Sequence, residues 1–437
     1  MKMAGARILA LGITLVLVLA ACGRATSSPP TASDPAGEGS AGASAGASDP
    51  ATGGASQGVT DDTIKIGLVA PLSGESSAFG KAQHMIEAIY RNVNENGGIN
   101  GRQLELVIED SECDPTTMNL ALTKLIENDE VFMIHGGICS NALIAGLPTI
   151  EESGIPFLVN SASSGATTDP PLPNLFHPGL TQPAITAAIG PFVEEAAASV
   201  GNRVGIVSQH DEWGLGWLDT FMASIEGTDI EMVAEEDIGI EAGDATAQVQ
   251  RLIAAEPDIA VVFAYPQPFS AFLRDAHAQG LDVPVTTGNT VQPEEQLERV
   301  GNREAVMTMF GSYAYKHPVS APEYDEYRAL LEEYYPQDDF DSNALLAITG
   351  ALANIEVLER MGDELTWENW IATMEGLENF ETPVNVSPVT FAPYDPNDPS
   401  TRRGGTILAF SHLDPTATEG NELVVVQTWE EWEALQP

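Results

Sequence analysis

The sequence predicts an α/β protein built on two mainly parallel β-sheets. Three observations support this prediction. Short, continuous apolar runs, which are typical of strands buried on both faces, recur along the chain. Stretches with apolar residues every three or four positions, which are typical of helices, separate these runs. The region from Val59 onward has roughly 380 residues, enough for two ordinary domains.

The first elements follow directly from the residue pattern. Residues 64–70 form an apolar run that predicts a buried strand. Residues 81–93 place apolar side chains on one helical face, and residues 104–108 alternate apolar with charged side chains, as a half-exposed strand does. Asp114 before Pro115 predicts the start of a second helix, because aspartate caps helices and proline fits their first turn.

The same alternation continues through the chain. Further strands are predicted at residues 131–134, 156–159, 204–207 and 259–263. Further helices are predicted at residues 140–152, 215–225, 245–254, 269–278, 322–335, 343–361 and 367–374. Strand-like segments follow at residues 406–410 and 422–426. Strands joined by helices of this length form parallel sheets with right-handed crossovers, and ligands of such sheets bind at the carboxyl ends of the strands.

The N-terminal segment has the pattern of a cleavable export signal, with basic residues, an apolar run and then Ala20-Ala21-Cys22. The apolar run is shorter than the roughly 20 residues that span a bilayer. The segment resembles the lipobox of bacterial lipoproteins, so we predict a signal peptide over residues 1–21 and a diacylglyceryl group on Cys22. The alternative is an ordinary signal peptide or an uncleaved anchor with an incidental cysteine. After Cys22, the small and polar residues 23–58 predict a disordered linker.

The chain is strongly acidic, with 64 acidic and 18 basic residues and a formal charge of −46. Contact with a nucleic-acid backbone is repulsive at this charge, so nucleic-acid binding is excluded. The same charge opposes the long-range attraction of anionic ligands. The alternative interpretation is that the acidity serves solubility or salt tolerance and has no part in ligand choice.

Three cysteines occur in the sequence. With Cys22 assigned to the lipid, Cys113 and Cys139 form the one possible internal pair. Such a pair in an exported protein predicts a disulfide. Two free thiols or a metal site are the alternatives, although a zinc site needs further Cys or His neighbours.

The sequence contains no motif that is typical of an enzyme. It has no Gly-x-Gly-x-x-Gly after a predicted strand, no phosphate loop, no His-Glu-x-x-His and no Gly-x-Ser-x-Gly between a predicted strand and helix. Matches to two of these patterns, as at residues 37–42 and 42–46, lie in the small-residue segment 23–58 and follow no predicted strand. Among the scattered histidines, His210 beside Asp211 lies nearest to a predicted ligand-binding loop. We therefore predict no catalytic residue, no metal and no other cofactor.

A set of short motifs in a fixed order gives the chain a resemblance to a known family. The motifs are Pro71-Leu72-Ser73-Gly74, Phe79-Gly80 and residues 96–101, 110–115, 136–140 and 154–157. Their combination resembles the type I periplasmic binding proteins of the branched-chain amino acid and amide ABC transporters. The resemblance covers nearly all of the folded region. The spacing of Cys113 and Cys139 also matches the disulfide of leucine-binding members, which supports their pairing.

The resemblance implies two Rossmann-like α/β lobes joined by three crossovers, with a ligand cleft between them that closes by hinge motion. We place the crossovers near Gly179, near Tyr313 and after Pro393. The predicted first lobe is residues 59–179 and 314–393, and the predicted second lobe is residues 180–313 and 394–437. The implied function is that of a lipid-anchored monomer that captures a small molecule and delivers it to ABC permease subunits. The alternative is a ligand-sensing receptor of the same fold with a signalling partner.

The resemblance also implies binding residues. In the family, hydroxyls and backbone amides of the first lobe hold the ligand's carboxylate, and the matching positions are Ser140, Ser161 and Ser163. Ser140 lies at a predicted helix N-terminus, where free amides and the helix dipole favour an anion. Its alternative role is to cap that helix.

Three aromatic residues match family positions that cover the ligand, namely Phe79, Trp213 and Tyr265. Local packing is the alternative role for Phe79. Phe340 is a looser match to a further wall residue.

Asn289 departs from the family pattern. Leucine-binding members pair the ligand's ammonium group with a glutamate of the second lobe, and Asn289 is the aligned position. A buried ammonium without a carboxylate is costly. Either Asp211 or another acid replaces the glutamate, or the ligand has no free α-amine. We therefore expect a small ligand that is an amino acid, an amide, a urea or a carboxylate.

Overall fold

The computed structural model describes residues 57–74, 76–289, 291–313, 315–405, 409–414, 416 and 424–428. The predicted signal peptide, Cys22 and nearly all of the predicted linker lie outside these residues. Within the described ranges, no helix has both the length and the apolar character needed to cross a membrane.

The first sheet contains five parallel strands. They are β1 (Thr63–Ala70), β2 (Gln103–Asp110), β3 (Met133–Gly136), β4 (Phe157–Val159) and β5 (Leu175–Phe176). Their spatial order is β2-β1-β3-β4-β5. The interior strand β1 buries Ile64, Ile66 and Leu68 completely, as its apolar run predicts.

Three predicted helices connect these strands and are confirmed. They are α1 (Lys81–Glu95), α2 (Pro115–Thr123) and α3 (Ser140–Ser153). The carboxylate of Asp114 accepts hydrogen bonds from the amides of Thr116 and Thr117, so it caps α2 as predicted. A disulfide joins Cys113, just before α2, to Cys139, just before α3, with their Cα atoms 5.5 Å apart.

The second sheet is larger and mixed. Its strands are β6 (Arg203–Gln209), β7 (Glu231–Ile238), β8 (Ile259–Phe263), β9 (Val285–Thr287), β10 (Met309–Tyr313), β11 (Ala409–Leu413) and β12 (Val424–Thr428). Their order is β12-β11-β10-β9-β8-β6-β7. The strands β6 to β10 are parallel, but β11 pairs antiparallel with both β10 and β12. The sheet is therefore mainly parallel, as predicted, with an antiparallel strand at β11 that the sequence pattern did not indicate.

Nine helices among the described residues accompany the second half of the chain. They are α4 (Gln182–Val200), α5 (Glu212–Ser224), α6 (Thr246–Ala255), α7 (Pro266–Gln279), α8 (Pro293–Val300), α9 (Arg303–Val306), α10 (Asp325–Tyr334), α11 (Ser342–Met361) and α12 (Trp367–Glu375). Helices α4 to α9 pack with the second sheet or with one another. Helices α10 and α11 instead pack on α1 beside the first sheet, and α12 packs on α11.

We call β1–β5 with α1–α3 and α10–α12 the first lobe, and β6–β12 with α4–α9 the second lobe. Each lobe is therefore assembled from separate stretches of the chain. The residue boundaries of the lobes stay a proposal. Beyond Pro393, where the third crossover is predicted, the chain still contacts the first lobe, since Arg402 donates to the carbonyl of Leu172 at 3.0 Å and Arg403 pairs with His177.

Candidate functional site

A cleft lies where the carboxyl ends of the two sheets face each other, as expected for open α/β sheets. Its wall takes residues from the loops that follow β3, β4 and β5 of the first lobe, and β8, β9 and β10 of the second. The helices α5 and α11 complete it. The empty space is about 770 Å³ with its open mouth included.

The first-lobe wall is formed by short loops. Ile138 and Cys139 follow β3 and lead directly into α3, while Asn160, Ser161 and Ser163 follow β4. The Ser161 amide donates to the carbonyl of Gly137 at 3.3 Å, so the two loops are joined. The Ser161 side chain is half-buried in the wall.

Ser140 does not line the cleft. It is the first residue of α3, and its hydroxyl accepts a hydrogen bond from the amide of Ser164 at 3.2 Å. The side chain neither caps α3 nor faces the cavity, and it fixes the loop that carries Ser161 and Ser163. A direct contact between Ser140 and a ligand stays a prediction.

Aromatic side chains meet across the cleft. Phe79 of the first lobe contacts Tyr265 of the second edge to face, with ring centroids 5.3 Å apart. The Tyr265 ring lies 4.6 Å from that of Trp213. The Trp213 indole Nε1 donates to the Ser163 hydroxyl at 3.3 Å. These contacts join the two lobes, so the structure has a closed cleft.

The second-lobe aromatics are positioned by strand ends. Trp213 begins α5 after β6, where the Asp211 carboxylate caps the helix by accepting from the Gly214 amide at 2.8 Å. Tyr265 is the residue before α7, and its amide donates to the Gln209 side chain at 2.5 Å. Burial, followed by the charges of Asp211 and the adjacent Glu212, raises the pKa of Tyr265 above its ordinary value, so its hydroxyl stays protonated.

Asn289 lies in the wall of the cleft directly after β9 and is 7% exposed. The neighbouring Gly288 has no side chain, and a Cβ there would stand 2.7 Å from the Trp217 ring. This close approach holds the end of β9 against α5. The Oδ1 of Asn289 has no hydrogen-bond partner among the described residues.

Asp211, the acid proposed as a partner for a ligand ammonium, and two further acids, Glu212 and Glu294, make hydrogen bonds outside the described wall. Asp211 caps α5, and the Glu294 carboxylate accepts from the amide of Val319 at 2.5 Å and from the hydroxyl of Ser320 at 2.9 Å. Glu212 accepts from the Ser164 hydroxyl at 2.8 Å. None of these three acids lines the cleft.

His177 is a wall residue that the sequence reasoning missed as a site residue. Burial lowers the pKa of its imidazole to about 4, so the ring is neutral at pH 7. Its Nε2 lies 2.7 Å from the carbonyl oxygen of Ala162 and its Nδ1 lies 3.2 Å from that of Gly179. The ring therefore braces the two loops and brings no charge into the cleft.

Other wall residues were missed as well, in two groups. Asn160 and Tyr315 follow β4 and β10, so the rule that ligands bind at strand ends could have identified them. Asn343, Leu346 and Thr349 lie on one face of α11, and Asn385 lies in a distant loop. No sequence signal identifies this second group, because only tertiary packing brings α11 to the cleft.

Six of the predicted residues are thus brought together in the wall of the cleft, and two are not. Phe79, Ser161, Ser163, Trp213, Tyr265 and Asn289 all line the cleft, and Ser140 lies behind its wall. Phe340 packs near Tyr324 and Arg328 and does not line the cleft. In the part of the chain that the structure describes, no group of three His, Cys, Asp or Glu side chains is arranged to hold a metal ion.

The sequence profile of the periplasmic binding protein family matches residues 63–397. A relative in Pseudomonas aeruginosa, the leucine-, isoleucine-, valine-, threonine- and alanine-binding protein, is 27% identical over 231 residues. That alignment covers 52% of this chain and 61% of the relative, so the match spans less than two thirds of that protein.

Solved structures share the fold. A fatty acid ABC transporter substrate-binding protein from Thermomonospora curvata has a TM-score of 0.72 at 23% identity, covering 86% of this chain and 95% of that one. An ABC transporter solute-binding protein from Rhodopseudomonas palustris, in complex with 3,4-dihydroxybenzoic acid, has a TM-score of 0.68 at 20% identity. That likeness covers 84% of this chain and 96% of the other.

Proposed function

The chain belongs to the periplasmic binding protein family, and from this membership we propose that it is an extracytoplasmic solute-binding protein of an ABC importer. Proteins of this family bind solutes and are not enzymes. In this function, the chain captures a small molecule between its lobes and delivers it to the permease subunits. The observation that carries the proposal is the cleft at the carboxyl ends of both sheets, lined from both lobes.

The contacts across the cleft support capture by closure. Trp213 and Tyr265 of the second lobe meet Ser163 and Phe79 of the first lobe directly. Opening the lobes would break these contacts and expose the aromatic rings. A ligand that touches both walls favours the closed arrangement by its differential affinity for that state.

The relatives define the range of ligands from which the proposal starts. Their names specify branched-chain and other small amino acids, fatty acids and a dihydroxybenzoic acid. We propose for this chain a small amino-acid-like, amide, urea or carboxylate ligand that contacts Ser161, Ser163, Trp213, Tyr265 and Asn289.

A lipid anchor on Cys22 is part of the same proposal, and its support is the sequence of residues 1–22. Two or more acyl chains give stable membrane attachment, whereas one chain is marginal. The wild-type protein expressed in a bacterial host should partition into detergent, while C22S should stay in the aqueous phase. Equal partitioning of both forms would remove the anchor from the proposal.

Binding is tested first with a panel of amino acids, amides, ureas and carboxylates in a thermal-shift assay. A ligand at 100 times its dissociation constant stabilises the folded state by about 2.7 kcal/mol. At least one panel member is expected to raise the unfolding midpoint. A panel without any shift contradicts the proposed ligand range.

The site is then tested with Trp213 variants and the ligand found. Trp213→Phe keeps the ring contact with Tyr265 and loses the hydrogen bond to Ser163, so we expect a loss of about 0.5–1.5 kcal/mol, or roughly 2- to 13-fold in affinity. Trp213→Ala loses both contacts, about 1–3 kcal/mol or roughly 5- to 150-fold. Leu215→Ala, on the exposed side of α5, is the control. Calorimetry that finds equal affinity for all three variants contradicts the cleft assignment.

A further inference from the structure

We propose that the ligand of this cleft is a small acid or amide without an ammonium or other cationic group. Two features of the described wall support this: it contains no charged side chain, and it contains buried amide side chains without hydrogen-bond partners. This inference rests on the proposed function and narrows its ligand class. The acids and amides meant here share one chemistry, a carbonyl-bearing end group joined to an apolar or aromatic body.

The first argument is the charge of the wall. Every described residue that lines the cleft is an uncharged polar, aromatic or aliphatic residue, or the neutral His177. Asp211 and Glu212 lie outside the described wall. Asp211 accepts from the amide of Gly214, and one oxygen of Glu212 accepts from the Ser164 hydroxyl, while its Oε2 has no partner among the described residues. A buried ammonium that lacks a carboxylate keeps most of its desolvation cost, which is several kcal/mol.

Cation–π contacts do not replace the missing carboxylate. An aromatic cage for a cation needs ring faces that stand around an open space. Here the rings touch one another, since Tyr265 lies 4.6 Å from Trp213 and 5.3 Å from Phe79 between centroids. The indole N–H of Trp213 is bound to Ser163. The aromatic group therefore offers a flat apolar surface, which suits the body of an acid or amide.

The second argument is the unpartnered amides. Both polar side-chain atoms of Asn160, Oδ1 and Nδ2, and the Oδ1 of Asn289 are buried without a hydrogen-bond partner in the described structure. The two side chains are only 3% and 7% exposed. Leaving such a group unsatisfied costs about 1–3 kcal/mol. Neutral ligand groups satisfy them, with a carbonyl accepting from Asn160 and a hydroxyl or amide N–H donating to Asn289.

The third argument is the position of α3. This helix begins at Ser140, directly after the wall residues Ile138 and Cys139, and has 14 residues. Its positive N-terminal end therefore lies at the wall near Asn160, which suits a carboxylate or carbonyl oxygen. The acid or amide end of the ligand is placed there, and its body extends towards Tyr265.

The experiment compares matched sets of ligands that differ in one group. One set is leucine, 4-methylpentanoate and 4-methylpentanamide, and a second is phenylalanine, 3-phenylpropanoate and 3-phenylpropanamide. Calorimetry on the purified protein should show that the acid or the amide of a set binds at least about tenfold more tightly than its amino acid, which is 1.4 kcal/mol. The acid and amide arms show which end group the site prefers.

Two variants make the test sharper. Asn289→Asp places a carboxylate in the wall, so it should improve binding of the amino acid at least about tenfold and weaken binding of the acid. Asn96→Asp is the matched control, because Asn96 is exposed at the end of α1 and does not line the cleft. This variant should leave every affinity unchanged. The unfolding midpoint of each variant shows that it is folded, and the wild-type comparison stands without either variant.

The outcomes separate the two proposals. If the wild-type protein binds an amino acid as tightly as its acid and amide, the inference is overturned and the proposed function stands. If no member of either set or of the wider panel binds, the proposed function fails and the inference fails with it.

Discussion

Replacing Glu295 with glutamine is expected to stabilise the protein at pH 8 and to have a much smaller effect at pH 5. Glu295 lies on α8 of the second lobe, and its carboxylate accepts from the amide of Ser342 at the start of α11 in the first lobe, at 2.9 Å. Burial raises the pKa of this carboxyl from 4.5 to about 7, against the opposing effect of the Ser342 amide. The charges of Asp341 and Glu294 add to the rise.

The sign and the size follow from the linkage between protonation and folding. A carboxyl whose pKa is raised in the folded state holds its proton more tightly there than in the unfolded chain. Its contribution to stability is full below about pH 4.5 and is lost as the pH rises through about 7. At 1.36 kcal/mol per pH unit, the loss is at most about 3 kcal/mol, and water reaching the partly buried side chain reduces it to roughly 1–3 kcal/mol.

Urea unfolding followed by tryptophan fluorescence at pH 5 and pH 8 measures this effect. Glutamine keeps an oxygen that accepts from the Ser342 amide but carries no charge, so Glu295→Gln should exceed the wild type by roughly 1–3 kcal/mol at pH 8. At pH 5, which is only half a unit above the ordinary pKa of 4.5, the difference should be smaller, about 0.5–0.8 kcal/mol. Glu298→Gln, on the exposed side of the same helix, should follow the wild type at both values. A variant at position 295 that is no more stable than the wild type at pH 8 would refute the reasoning.

Two further predictions concern stability. Arg402 is completely buried, lies over the Phe176 ring at 4.5 Å and pairs with Glu375 at 2.6 Å. Arg402→Ala should therefore lower the free energy of unfolding by about 3–5 kcal/mol in chemical denaturation. The control Arg274→Ala, on the exposed face of α7, should lower it by less than about 0.5 kcal/mol. A cost at Arg402 no larger than at Arg274 would contradict this. The disulfide closes a loop over a separation of 26 residues, so changing both Cys113 and Cys139 to serine should lower the free energy of unfolding by about 3.5 kcal/mol. Equal denaturation midpoints for this variant and the oxidised wild type would contradict the estimate.

The sequence predicts the strands and helices best where the hydrophobic pattern is unbroken. The run at Ile259–Phe263 gives β8 with its observed bounds, and the cap at Asp114 marks the start of α2. By contrast, α4 was missed, since Pro183 and Pro191 interrupt its pattern. The strand β7 was missed because it lies at the sheet edge with a largely exposed, acid-rich sequence. The spacing of apolar residues also does not determine whether a strand pairs parallel or antiparallel with its neighbour, so the antiparallel pairing of β11 could not be predicted.

The candidate site shows the same division between local and tertiary information. Trp213 and Tyr265 follow strands in the sequence, so the strand-end rule places them at the cleft. The role of Ser140 depends on the loop that folds over it, and its bond to the Ser164 amide has no counterpart in the local sequence. The contribution of α11 depends on packing against α1, more than 200 positions earlier in the chain, and no spacing rule contains that contact.

In this strongly acidic chain, the carboxylates beside the cleft serve to join the lobes. Glu212 on α5 binds the Ser164 hydroxyl, while Glu294 and Glu295 on α8 bind Ser320 and the amide of Ser342. In each case a second-lobe acid binds a group on the first lobe or on the segment leading to it. None of these acids lines the described cleft, so the recognition of the ligand that we propose rests on the neutral side chains of its wall.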